Sequence, residues 1–271
     1  MLARQAPQSA ATARPGSTRR QQVLKACDAT NPQPYRIAAI SYYETKDYAK
    51  ATEAVNKVWK LVREDRRTSK DYEYYGKILI ATGQDSLGLE YVKQGYAADP
   101  SRAELLSDIA NTYFKSKKYT EAIIWFKKKI DGGKDVRSAD YFTLGQAQYY
   151  ENQFSDATTS FAKVNEVSPK YVSGYFWRAR ANAQLDSTSE AGLAKPFYEK
   201  YVELAAVDSA STVKYNAGLV EAYTYLASYQ FLIAKDNAAT LDYLRKKALL
   251  NLDPEELKRV QLNIKQLEGS K

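Results

Sequence analysis

Along most of this chain apolar residues recur every three or four positions, and small residues recur at a much longer interval. Between Ala103 and Tyr171 one pattern is written twice. Its first copy runs through Ile109, Ala110, Tyr113, Tyr119, Ala122 and Phe126. The second, shifted by thirty-five residues, runs through Leu144, Gly145, Tyr149, Phe154, Ala157 and Phe161 and closes at Pro169. Because a helical turn takes about 3.6 residues, each pair four apart (Ala122 with Phe126, Ala157 with Phe161) lies on one helix face. The small residues stand where one helix of a pair must let its neighbour approach. With the first position of the unit placed at Pro32, Ser69, Ala103, Ser138 and Val172, the register steps by 37, 34, 35 and 34 residues. In this frame the eighth position reads Ala39, Gly76, Ala110, Gly145, Ala179, and the twentieth reads Ala51, Gly88, Ala122, Ala157. A looser sixth unit begins at Val220 after a step of 48 and offers Tyr223, Leu226, Ala227, Ala239 and Tyr243.

The pattern predicts an all-α chain of helix pairs. Helices are expected over 34–43 and 48–63, 71–81 and 87–98, two pairs within 103–171, and a sixth pair over 214–233 and 237–251. Gly83 stands where a left-handed terminator belongs. The charged run Arg63-Glu64-Asp65-Arg66-Arg67 reads as a solvated turn between units. Gly132-Gly133 has neither the glycine spacing nor the preceding strand of a phosphate loop and reads as a turn. The fifth unit carries a longer internal loop around 185–192, after which Pro196 falls in the first turn of its second helix, where its missing N–H is harmless. Asp253 as N-cap and Pro254 as first helical residue predict a last helix over 255–267 with one wet face.

The repeated small, aromatic and proline positions resemble the tetratricopeptide repeat, whose period is about thirty-four residues with Trp, Leu-Gly, Tyr, Ala, Phe, Ala and Pro at fixed offsets. The run 177–186 followed by 192–201 is similar to the C-terminal part of long multi-repeat proteins of this family from Bacteroidetes-type bacteria, and the likeness spans about residues 35–267. The resemblance implies a right-handed superhelical solenoid of stacked antiparallel helix pairs. It also implies that the first helices line a concave groove that binds a peptide or partner protein through their second, fifth, ninth and twelfth positions. Carried onto this sequence, the partner-binding residues expected are Tyr43, Lys77, Asn111, Phe114, Phe142, Gln146, Tyr149, Phe176 and Arg180. Aromatic anchors with Asn, Gln and Arg among them suit a peptide, since rings bury large area and the polar groups satisfy its backbone. The two-carboxylate clamp of chaperone-tail-binding members cannot be assembled. Where the first repeat supplies Arg36, its partner position is Ile40, the second repeat offers Tyr74, and the third offers Glu104 and Asp108.

Composition narrows the chemistry. The absence of histidine removes the usual general base and zinc ligand, and the single cysteine, Cys27, excludes an internal disulfide and a thiolate metal site. No enzyme activity and no cofactor are therefore expected. The formal charge of +8 is unevenly placed: residues 1–34 hold five basic side chains and one acid, half of the excess. The repeat body is a weak field, so no nucleic-acid partner is expected, although a helical-repeat nucleic-acid-binding protein is the alternative reading. Residues 1–33 read as a disordered basic tail with a possible short helix at 21–28, residues 34–253 as about six helix pairs, and 254–271 as a capping helix and tail. No stretch reaches the length of a membrane helix. A cytoplasmic location is expected as the sequence is written, or a periplasmic one if its start is a truncation.

Overall fold

The computed structural model describes residues 30–269. The expected disordered tail, apart from its last four residues, and the short helix at 21–28 lie outside the described residues. Every described residue in regular structure is helical, and packing divides the chain into two compact units, one ending at Leu105 and the other beginning at Leu106.

The first unit holds two helix pairs: α1 (Gln33–Glu44) with α2 (Tyr48–Leu61), then α3 (Ser69–Ala81) with α4 (Asp85–Ala98), and a 3-10 turn at Glu64–Arg66 between them. Local chemistry sets the starts. The Asp47 carboxylate accepts from the Lys50 amide to cap α2, and Thr68 and Asp71 form a reciprocal capping box at α3. The core gathers Ala38, Ala39, Ala51, Ala54, Val55 and Ile78 beneath Tyr42, Tyr43 and Tyr75. Two glycines let α3 and α4 touch backbone to backbone. A Cβ on Gly76 would stand 2.5 Å from the Gly88 carbonyl oxygen, and one on Gly88 would stand 2.5 Å from that of Gly76.

Between the two pairs runs an ion pair that the sequence pattern does not display. Arg36 donates from Nε and Nη2 to both carboxylate oxygens of Asp71 at 2.7 Å, and Asp71 also accepts from the amide and hydroxyl of Thr68. The Asp71 side chain is 3% exposed and that of Arg36 21%, so the pair is nearly dry and its geometry is bidentate.

The second unit contains the rest. Helix α5 (Glu104–Lys115) pairs with α6 (Tyr119–Asp131), α7 (Ser138–Tyr150) with α8 (Phe154–Val167), and α9 (Val172–Leu185) with α10 (Lys195–Ala205). A six-residue helix α11 (Ser209–Lys214), unforeseen in the sequence, precedes α12 (Asn216–Tyr229), α13 (Asn237–Ala248) and α14 (Pro254–Gly269). Asp208 starts α11 by accepting from the Ser211 amide, a cap at a site that carries no apolar periodicity. Asp253 caps α14 as expected, accepting from the amides of Glu255 and Glu256. The long loop of the fifth unit is folded back by Asp186, whose carboxylate accepts from the amides of Ala191 and Leu193.

Burial follows the repeat register. All five residues at the eighth position and all four at the twentieth are buried. The turn inside a pair has its own fixed point: Lys46, Gly83, Lys117 and Asn152, each at the fifteenth position, take positive φ of 60°, 85°, 57° and 59°. The sixth pair departs from this by one residue. A π-helical segment, Gln230–Ala234, extends α12 and inserts a residue, so the left-handed turn falls on Lys235 (φ 57°) at the sixteenth position. In consequence Thr240, not Ala239 as the sequence frame has it, is the buried small residue of α13.

Two predictions test this packing. A Cβ on Gly145 would meet the Phe161 ring at 2.8 Å, which can shift, whereas one on Gly76 meets backbone. Gly76→Ala should therefore lose more stability than Gly145→Ala, by about 1 kcal/mol or more in urea unfolding; equal losses would contradict the crossing. For the ion pair, burial pushes the Asp71 pKa up, but Arg36 and Thr68 outweigh it and hold the carboxyl below its ordinary value. Such a group stabilises the fold above its unfolded pKa of about 3.9 and loses that contribution as pH falls through its folded pKa. Arg36→Ala should thus cost about 3 kcal/mol at neutral pH by stranding Asp71, and the gap to the parent should close below about pH 4.

Candidate partner-binding face

The first helix of each pair presents its ninth and twelfth residues on one face, with the fifth closer to the neighbouring pair. All nine residues expected to bind a partner are half-buried, so each offers part of its surface and packs with the rest. They fall into the two units separately.

In the first unit Tyr43 and Lys77 meet at Tyr74. The Tyr43 ring lies edge-on to Tyr74 at 5.8 Å, and the Lys77 ammonium stands 5.7 Å over the same ring. Lys77 donates to Glu73 Oε1 at 2.6 Å while Arg102 donates to Glu73 Oε2 at 2.6 Å. Glu73, on the fifth position, is thereby closed in between two cations and buried.

In the second unit the expected residues form a succession of touching rings. Phe114 lies 5.5 Å from Tyr119 and 6.3 Å from Tyr150, and Tyr150 is edge-on to Tyr149 at 5.9 Å. Tyr149 meets Trp177 edge-on at 5.3 Å, and Trp177 leads on to Phe176 at 6.4 Å. Phe142 packs on Phe161 and Tyr171 at 5.8 and 5.3 Å. Asn111 turns its amide back onto the Ser107 carbonyl of its own helix at 2.8 Å. Gln146 lies on α7 one turn from both Phe142 and Tyr149, half-exposed between them.

Arg180 is the polar centre of this face. Its guanidinium carbon is 5.4, 5.6 and 5.0 Å from the rings of Tyr149, Phe176 and Trp177, close enough for attraction to the ring quadrupoles. Its Nε pairs with Glu221 Oε1 at 3.2 Å, and the Tyr198 hydroxyl donates to that same oxygen at 2.8 Å. Burial first, and then the Glu221 charge, push the Tyr198 phenol far above its ordinary pKa; burial does the same for Tyr201. Both hydroxyls therefore remain donors, to Glu221 and to the Tyr215 carbonyl respectively.

Trp177, Tyr150, Glu221 and Tyr198 complete the face and were not among the expected residues. Trp177 and Tyr150 directly follow template positions, and consecutive helical residues diverge by about 100°, so a four-position template passes over them. Glu221 stands at the second position of the sixth unit, where the template itself could have found it. Among the described residues no cluster of three His, Cys, Asp or Glu could hold a metal, and no helix is long and apolar enough to cross a membrane.

No family model matches the sequence. The C-terminal part of a TPR repeat-containing protein from Cytophaga hutchinsonii is similar in structure with a TM-score of 0.77 and 31% identity, covering 88% of this chain and 91% of that one. The chain belongs to the tetratricopeptide-repeat (TPR) family. Pseudomonas aeruginosa PilF, at 15% identity and a TM-score of 0.56 over 86% of this chain and 97% of its own, shares the fold. Among curated proteins, the mitochondrial import receptor subunit TOM70 of Rattus norvegicus is 32% identical over 93 residues, 33% of this chain. The TOM70 of Homo sapiens is 31% identical over 93 residues. The TPR chain spans 15% of the length of these curated relatives.

Arg180 is one-third exposed and its carboxylate partner slightly more so, which limits what the pair contributes to folding. Arg180→Ala is therefore expected to cost only about 1 kcal/mol of stability in urea unfolding. A loss several times larger would show that the guanidinium is a core strut and not a surface group.

Proposed function

We propose that this TPR chain is a non-catalytic protein-interaction scaffold that holds a peptide or partner protein on its first-helix faces. The observation that carries the reading is the half-exposed run of rings from Phe114 through Tyr149 to Phe176, with Arg180 at its centre. Rings present large apolar area at low entropic cost. Arg180, Gln146 and Asn111 supply hydrogen bonds for a peptide backbone or an acidic side chain. On the first unit Tyr43 and Lys77 occupy the equivalent positions and contribute in the same way. Membership of the TPR family supports the reading, as does the local similarity to a protein named as an import receptor subunit.

The nucleic-acid alternative lacks a basic stripe. Of the cations at the template positions, Arg36, Lys77 and Arg180 are each paired with a carboxylate of Asp71, Glu73 or Glu221, which among the described residues leaves Lys70, exposed at the second position of the second repeat, as a single isolated cation and not a stripe. Such neutralised pairs offer little to a phosphate backbone.

Affinity capture from cell extract tests the proposal. The parent should retain a discrete protein partner, and the double variant Gln146→Ala/Arg180→Ala should lose at least about tenfold in affinity for it, about 1.4 kcal/mol, with unchanged helicity. Retention of no protein by the parent, together with turnover of a small molecule or a gel shift of RNA at about 150 mM salt, would contradict it.

A further inference from the structure

A second candidate site lies in the first unit, away from the aromatic face. At the end of α2 the chain passes through extended Val62 into the 3-10 turn Glu64–Arg66, closed by the Arg66 amide donating to the Arg63 carbonyl at 3.0 Å. Arg63, with extended backbone just before the turn (φ −59°, ψ 149°), and Arg66, the last residue of the turn, both open onto one depression. There they meet Arg36, one turn into α1. Together with Pro32, Leu61 and Val62 these three arginines line a cavity of about 420 Å³. No acidic residue is among its described lining residues.

The arginines are only partly engaged. Asp71 takes Nε and Nη2 of Arg36 and leaves Nη1 for another acceptor. Arg63 has Asp65 at 3.2 Å, but the two side chains are 80% and 59% exposed, a geometry that contributes little and is readily exchanged. Arg66 makes no ion pair among the described residues. The two exposed guanidinium forks of Arg63 and Arg66, with Nη1 of Arg36 beside them, match the bidentate geometry of clustered oxyanions.

We propose that this cavity binds a short acidic peptide segment through clustered carboxylates. The apolar lining, Pro32, Leu61 and Val62, accommodates the methylenes of glutamate side chains. Glu64 and Asp65, on the same turn, interrupt the basic surface that a long polyanion would need. The preceding stretch of this chain is itself basic, five cations to one acid over residues 1–34, so the complementary ligand is another molecule. This site is independent of the aromatic face, and its failure would leave that reading intact.

The test is fluorescence anisotropy with a fluorescein-labelled peptide of four successive glutamates, at about 0.15 M salt to screen diffuse attraction. The full chain should bind it saturably, and Arg63→Glu/Arg66→Glu should weaken binding by about tenfold or more. Lys258→Glu/Lys265→Glu, which changes net charge equally on α14, should leave binding unchanged. All four substituted residues are exposed, so circular dichroism should show both variants folded. No saturable binding by the parent, or equal losses in the two variants, would overturn the proposal. Binding of inorganic pyrophosphate without binding of the glutamate peptide would overturn it too, by making the cavity a phosphoryl site.

Discussion

Helix pairs in this protein close to a distance that no side chain larger than alanine allows at two points. At the eighth position of the first helix and the twentieth of the second, every residue is Ala or Gly in the regular units, and every one is buried. Gly76 against Gly88 is the extreme case, with the two backbones in direct contact. This close approach is what brings the larger neighbours, Phe126, Phe161 and Val58, into full burial. It also fixes the turn, since the chain has few residues in which to reverse and takes a left-handed conformation at the fifteenth position even where lysine stands there.

That constraint explains what could be read from sequence. Small residues at a steady spacing are visible without a structure, and the pairs, the Gly83 turn and the Asp253 cap follow from local chemistry. Other features depend on groups far apart in sequence. Arg36 and Asp71 are separated by thirty-five residues, and nothing local in either helix announces their pair. The π segment is hidden for a different reason: an inserted residue leaves the apolar pattern of α12 intact and shows only in which small residue of α13 is buried, Thr240 in place of Ala239. The face was legible in part, because rings at template positions were visible and Glu221 too stands at one, whereas Trp177, the residue after template position Phe176, is passed over by a four-position template.

Half-burial lets the rings serve the fold and, on the function proposed above, recognition as well. Tyr149, Phe176 and Trp177 cover repeat interfaces with one side and frame Arg180 with the other. Tyrosine suits both tasks, since its ring packs while its hydroxyl finds a partner, as Tyr198 does in Glu221. The same holds for the charged groups: pairing with Glu221 leaves no stranded cation where Arg180 stands at the edge of the core.

A double-mutant cycle on Gly145 and Phe161 tests the close-approach account most directly. If the cost of a Cβ at Gly145 arises from the Phe161 ring 2.8 Å away, Gly145→Ala should be less destabilising in a Phe161→Leu background. The expected coupling exceeds about 0.5 kcal/mol in urea unfolding. Strict additivity of the two substitutions would show that the helices do not meet there and that the repeat register is wrong.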